Sequence, residues 1–199
     1  MSVFVKVCGM RDAASVAAAV EAGANAVGFV FAESVREISP AEAKTVAQDV
    51  PAHVQRVAVM RHPSKAEWQA VLGEFAPDVL QTDAEDFASL DVPDDVVRWP
   101  VLRQRGGERF DELPEVFVYE GALSGTGKTV DWTQAAVIAR QGRMILAGGL
   151  DAGNVATAIR TVRPWGVDAS SGLESSPGIK DMERIKKFIS AVRAAENDA

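Results

Sequence analysis

The stretch Val3-Phe4-Val5-Lys6-Val7-Cys8-Gly9-Met10-Arg11 places a short β-branched run directly before Cys-Gly, and an alanine-rich segment over residues 12–22 follows it. Asp12 is a typical N-cap residue, and Gly23 is a typical residue for ending a helix. The stretch therefore predicts a buried strand, a tight turn and a helix.

The same strand–helix unit recurs along the chain. The apolar runs are hydrophobic on both faces, as in parallel strands that are covered on both sides. Eight strands are predicted, over residues 4–7, 26–31, 54–60, 79–81, 97–102, 116–120, 144–147 and 166–169. Six helices are predicted, over residues 12–22, 40–49, 64–75, 132–140, 154–162 and 181–195. Residues 83–115 are rich in Asp and Pro and predict short or irregular helices.

Eight strands that alternate with helices predict an α/β fold, a compact single (β/α)8 TIM barrel, with residues 1–199 as one domain. The alternative is a doubly wound open sheet, which the count of eight disfavours. In a barrel, the functional residues lie at the carboxyl ends of the strands.

The composition narrows the classes of partner. Hydrophobic residues make up 47% and charged residues 25% of the chain, as in soluble globular proteins. A net charge of −7 argues against a nucleic-acid partner, and the apolar runs are too short to span a membrane. One cysteine allows no internal disulfide and fits a cytoplasmic protein, and two histidines leave little for a zinc site.

Cys8 is the one thiol of the chain, and it follows the first strand. A lone cysteine is often a small buried hydrophobe. At the end of a barrel strand, however, it lies where a nucleophile or a base would lie. Its neighbours in the sequence leave both interpretations open.

Small residues follow the last two strands. Their backbone N–H groups can approach an anion closely, and many barrels bind phosphate between these two loops. The alternative is a pair of ordinary tight turns. The predicted phosphate-binding residues are Gly148, Gly149, Ser170, Ser171 and Gly172.

The loop after the sixth strand contains Gly125-Thr126-Gly127-Lys128, which resembles the end of a P-loop but lacks the first glycine at its required spacing. We interpret it as a mobile lid that delivers Lys128 and Asp131; a flexible surface loop is the alternative. Asp131 is either the N-cap of the helix that begins at Trp132 or an acid at the rim of the barrel.

Three further polar residues follow strands. Arg36 is a candidate for binding an anionic or aromatic group, or is a surface charge. Asp168 faces the predicted barrel mouth, or holds loop backbone. Gln81 ends the predicted fourth strand. His53 and His62 are expected to be loop residues without a role.

Together these motifs resemble the phosphoribosylanthranilate isomerase family from end to end. The segments that carry the resemblance are residues 6–9, 28–31, 34–36, 39–40, 80–81, 125–132, 146–150, 167–174 and 177–181. Two places depart from the family pattern. The family often has Leu-His-Gly just before or after the Gln of strand four, whereas Thr82-Asp83-Ala84 follows Gln81 here. His62 stands where Asn is common.

The resemblance implies a cofactor-free and metal-free Amadori rearrangement of N-(5-phosphoribosyl)anthranilate in tryptophan biosynthesis. It implies Cys8 as general base and Asp131 as general acid. Arg36, Gln81 and Asp168 are expected to contact the substrate beyond its phosphate. The expected partner is this small phosphosugar, and the expected state is a monomer or homodimer.

Two other functions stay open. One is an isomerase of the related histidine-pathway substrate, or of both substrates, in which an aspartate is expected in place of Cys8. The other is a non-catalytic phosphosugar-binding barrel, which would need neither Cys8 nor Asp131.

Overall fold

The computed structural model describes residues 2–104, 113–122 and 129–196. Eight parallel strands form a closed barrel in chain order, because the first strand pairs with both the second and the eighth. The strands are β1 (Phe4–Cys8), β2 (Ala26–Val30), β3 (Gln55–Val59), β4 (Val79–Asp83), β5 (Val97–Gln104), β6 (Val116–Gly121), β7 (Arg143–Leu146) and β8 (Gly166–Ala169). The predicted barrel is confirmed, and the alternative fold, a doubly wound open sheet, is wrong.

Within the described ranges, the six predicted helices are present: α1 (Ala13–Ala22), α2 (Pro40–Val46), α3 (Lys65–Phe75), α4 (Trp132–Ala139), α5 (Val155–Val162) and α6 (Met182–Glu196). Helix α2 ends three residues earlier than predicted, and a short 3-10 helix, Ala84–Ala88, lies in the irregular region. A hairpin of β9 (Glu174–Ser176) and β10 (Ile179–Lys180), which the sequence analysis missed, follows β8.

The helix starts follow the capping chemistry of the sequence. The Asp12 carboxylate accepts the Ser15 backbone N–H at 2.8 Å. Ser64 and Glu67 form a reciprocal capping box at the start of α3. Such caps satisfy backbone N–H groups that have no partner inside the helix. No helix in the described part of the chain is long and apolar enough to cross a membrane.

The barrel interior changes character along its axis. Phe4, Lys6 and Cys8 share one face of β1, because side chains alternate along a strand. Phe4 stacks on Trp165 with ring centroids 4.6 Å apart and meets Trp99 edge-on at 5.6 Å. That face is therefore the interior, apolar at Phe4 and polar from Lys6 towards the carboxyl end of the barrel.

Candidate active site

A cavity of about 360 Å³ opens at the carboxyl ends of the barrel strands. Eight of the ten predicted site residues line it: Cys8, Arg36, Gln81, Gly148, Gly149, Asp168, Ser170 and Ser171. The other two, Asp131 and Gly172, do not line it in the part of the chain that the structure describes. The carboxyl ends of β1, β4 and β8 and the loops after β2, β7 and β8 thus bring most of the predicted site together.

Cys8 is both buried and part of the cavity wall, with 8% of its surface exposed. It pairs in register with Gly28 on β2. A Cβ atom at Gly28 would lie 3.1 Å from the Cys8 Sγ and 3.2 Å from the Lys6 Nζ. Gly28 therefore leaves the space that these two side chains occupy.

Lys6 is fully buried beneath Cys8, and its Nζ lies 2.9 Å from Oδ2 of Asp168. Burial alone would lower the pKa of Lys6, but the negative charge of Asp168 and the neighbouring Cys8 raise it overall. Lys6 is therefore a fixed cation inside the barrel. The other carboxylate oxygen of Asp168, Oδ1, is buried without a hydrogen-bond partner among the described residues.

Burial raises the pKa of the Cys8 thiol, and the carboxylate of Asp168 raises it further. Lys6 and Lys180 act in the opposite direction without outweighing burial. Cys8 is accordingly a thiol at neutral pH in the ligand-free site, because the reference pKa of a thiol already lies above 7. A cationic group bound beside Cys8 would favour its thiolate.

Arg36 is held by an ion pair that the sequence did not indicate. Its Nε and Nη2 donate to the two carboxylate oxygens of Glu174 at 2.7 and 2.9 Å. Burial would raise the pKa of Glu174, but hydrogen bonds from Arg36 and Lys180 lower it to about 2. Arg36 is thus a half-buried, oriented residue of the cavity wall and not a free surface charge.

The loops after β7 and β8 lie against each other at one side of the cavity. A Cβ atom at Gly172 would lie 2.3 Å from the Leu150 carbonyl oxygen, so only glycine allows this contact. Gly148 and Gly149 line the cavity beside Ser170. This arrangement is the one expected of a barrel phosphate site.

Asp131 caps helix α4, which confirms one of its two interpretations. Its Oδ1 accepts the backbone N–H groups of Thr133 and Gln134 at 2.8 and 3.3 Å, and the residue is exposed. Its role as a rim acid stays a prediction. Lys128 and the glycines of the predicted lid, residues 125–127, lie outside the described residues.

The sequence analysis missed a second polar network, which lies at the ends of β4, β5 and β6. Arg103 of β5 forms two hydrogen bonds with the buried carboxylate of Asp83, and its Nη1 lies 2.7 Å from Oε1 of Glu120. Arg103 and Glu120 line the cavity. The sequence did offer one signal, since each of these charged residues lies at or near the end of one of three consecutive strands.

The two departures from the family pattern lie in this same corner. His62 does follow β3, as predicted, but its Nδ1 contacts Asp86 at 3.0 Å, and its Nε2 lies 3.6 Å from Asp83. These three residues have the spacing of possible metal ligands. Arg103 already binds the Asp83 carboxylate and Thr82 binds that of Asp86, so the cluster is a closed hydrogen-bonded network.

Known proteins match the chain along almost its whole length. The family model for N-(5'phosphoribosyl)anthranilate (PRA) isomerase matches residues 5–191. The N-(5'-phosphoribosyl)anthranilate isomerase of Listeria monocytogenes is 35% identical over 204 residues, which is 96% of this chain and 99% of the relative.

Solved structures agree with that match. TrpF from Jonesia denitrificans superposes with a TM-score of 0.79 at 32% identity, covering 98% of each chain. A phosphoribosyl anthranilate isomerase in complex with reduced 1-(o-carboxyphenylamino)-1-deoxyribulose 5-phosphate superposes with a TM-score of 0.77 at 26% identity, covering 96% of this chain and 99% of that one. The chain belongs to the N-(5'-phosphoribosyl)anthranilate isomerase family.

Proposed function

We propose that this chain catalyses the Amadori rearrangement of N-(5-phosphoribosyl)anthranilate to 1-(2-carboxyphenylamino)-1-deoxyribulose 5-phosphate, a step of tryptophan biosynthesis. The observation that carries the proposal is the family match over residues 5–191, which includes the cavity with Cys8 at the end of β1.

The reaction needs one acid and one base, and we assign them to two residues. Asp131 donates a proton to the ribose ring oxygen, which breaks the ring C–O bond and leaves an iminium ion at C1. Cys8 then removes the proton from C2, and the resulting enolamine tautomerises to the ketone. Because a proton enters at the start and one leaves at C2, the isomerisation consumes no external reagent.

The electrostatics of the site support Cys8 as a base that acts only on bound substrate. Its raised pKa keeps it protonated while the site is empty. The iminium ion places a positive charge beside the thiol at the moment when the proton must leave C2, and this charge favours the thiolate. Asp168 lines the cavity, its Oδ1 has no hydrogen-bond partner among the described residues, and we assign it to the sugar and the bridging nitrogen.

The two ends of the substrate are assigned to two different groups of residues on the cavity wall. Backbone N–H groups of the loops after β7 and β8 hold the phosphate, at Gly148, Gly149, Ser170, Ser171 and Gly172. Arg36 orients the anthranilate end, since its guanidinium lines the cavity while Glu174 fixes its direction. Gln81, whose Oε1 is buried without a hydrogen-bond partner among the described residues, contacts the substrate from the cavity wall.

The experiment is a fluorescence assay with freshly made phosphoribosylanthranilate, run in parallel with the aminoaldose of the histidine pathway. We expect turnover of the anthranilate substrate alone. We also propose that the protein is a cytoplasmic monomer or homodimer. Turnover of both substrates would support the dual-substrate alternative. If the protein binds a product analogue but turns over neither substrate, the alternative of a non-catalytic phosphosugar-binding barrel would be supported.

A further inference from the structure

Two oppositely charged side chains are buried together in the hairpin that follows β8. Glu174 of β9 is 5% exposed and Lys180 of β10 is 8% exposed, and their charged groups lie 2.7 Å apart. Glu174 also accepts the Arg36 guanidinium and the backbone N–H of Gly178. Two cations therefore share one carboxylate, which leaves this cluster with an excess positive charge beside the cavity.

The ammonium group of Lys180 uses all three of its hydrogen-bond donors inside the protein. It donates to Oε1 of Glu174 at 2.7 Å, to the Ser170 carbonyl oxygen at 3.1 Å and to the Ser170 Oγ at 3.2 Å. The Ser170 hydroxyl in turn donates to the Cys8 carbonyl oxygen at 3.0 Å. One hydrogen-bonded chain thus runs from Lys180 through Ser170 to the main chain of Cys8.

This arrangement is a costly way to stabilise a fold. Moving each ion out of water costs several kcal/mol, and a well-packed apolar pair is often at least as stable. In this hairpin, Lys180 contacts Ser170 of the predicted phosphate loop, and Ser170 contacts the main chain of Cys8. Such a placement indicates a role in the reaction.

We propose that Lys180 is a positioning residue of the isomerase, which fixes the main chain of Cys8 through Ser170 and favours the Cys8 thiolate by its charge. This inference rests on the proposed function, in which Cys8 is the base. The Glu174 carboxylate binds both Lys180 and Arg36, so one carboxylate holds both cations in place.

The charged groups that face Cys8 are few and lie on different elements. Lys6 acts from the same strand, Asp168 from β8 and Lys180 from β10, whereas β2 contributes Gly28, which has no charge. Lys6 is neutralised by its ion pair with Asp168 at 2.9 Å. Lys180 and Arg36 share the one carboxylate of Glu174, so removing Lys180 takes away the excess positive charge of that cluster, whereas removing Lys6 would leave Asp168 without its partner.

The test uses Lys180→Met, with Lys186→Met on the exposed face of α6 as the matched control. Because Cys8 is the one cysteine of the chain, its thiolate can be followed by absorbance near 240 nm against Cys8→Ser, without substrate. We expect the thiol of Lys180→Met to titrate at higher pH than in the control. We also expect kcat to fall by about 10-fold or more, a part of the contribution of a general base.

A titration midpoint or a kcat equal to that of Lys186→Met would overturn the proposal. The thiol titration needs no activity, so a chain that turns over no phosphoribosylanthranilate would refute the proposed function and still leave this test intact. If Lys180→Met does not fold, Ser170→Ala keeps both buried ions and removes the hydroxyl between Lys180 and Cys8. Its kcat is expected to fall, and an unchanged kcat would contradict the positioning role.

Discussion

The Nζ of Lys6 lies 2.9 Å from Oδ2 of Asp168 inside the barrel, where Lys6 has no exposed surface. The pair joins β1 to β8 directly below Cys8. Asp168 also lines the cavity, and its second oxygen, Oδ1, has no hydrogen-bond partner among the described residues. This ion pair therefore contributes both to the stability of the barrel and to the charge around Cys8.

Replacing Lys6 by Met should destabilise the protein by about 3–5 kcal/mol, because it leaves the buried Asp168 carboxylate without its partner. Urea unfolding followed by circular dichroism measures this loss. The matched control is Lys44→Met, which removes an exposed cation 3.6 Å from Glu74 and should cost at most about 1 kcal/mol. Equal losses in the two variants would contradict the account of the pair.

Replacing Asp131 by Asn separates its two roles. Asparagine is as good an N-cap as aspartate, so helix α4 and the thermal midpoint should change little. The amide cannot serve as the general acid, and kcat should fall by about 10² or more. A variant that keeps its kcat would show that Asp131 acts as a cap alone.

A negative charge introduced into the loop after β7 tests whether this loop binds the phosphate of the substrate. Gly149 has a positive φ of 60°, a conformation that Asn and Asp both tolerate. Gly149→Asp should raise KM strongly by repelling the phosphate, whereas Gly149→Asn, with the same shape and no charge, should raise it much less. Equal KM values for the two variants would place the phosphate elsewhere.

The stability of the protein should depend on Glu174 in acid. Its pKa is about 2 in the folded protein against 4.5 for an ordinary glutamate. A lowered pKa in the folded state stabilises the protein above pH 4.5, and this contribution is lost as the pH falls from about 4.5 to 2. Unfolding free energies of the wild type and of Glu174→Gln should therefore converge over that range.

The surface variant Glu183→Gln, on the exposed side of α6, is the control for this pH series. Because it removes an exposed carboxylate, it should change the free energy of unfolding at neutral pH much less than Glu174→Gln does. A constant difference between the wild type and Glu174→Gln from pH 6 to pH 2 would contradict the assignment of the low pKa to Glu174.

The sequence alone predicted the eight strands and eight residues of the cavity wall. Both follow from local patterns, namely apolar runs and the small or polar residues that end them. The burial of Lys6 could have been predicted in the same way, because side chains alternate along a strand and Lys6 therefore shares one face of β1 with Phe4 and Cys8.

The ion pairs were not predictable from the sequence. Arg36 and Glu174 are 138 positions apart, and only the closed barrel brings them together. The same holds for Arg103, whose partners Asp83 and Glu120 lie on the two neighbouring strands. A single sequence marks where charges follow strands but not which of them meet.

The central claim is that Cys8 removes the C2 proton of phosphoribosylanthranilate. The most direct measurement is the kcat of Cys8→Ser in the fluorescence assay, with the folded fraction checked by circular dichroism. A serine hydroxyl has nearly the same shape but is a far weaker acid, so kcat should fall by at least about 10² at unchanged fold. A kcat close to that of the wild type would contradict the account.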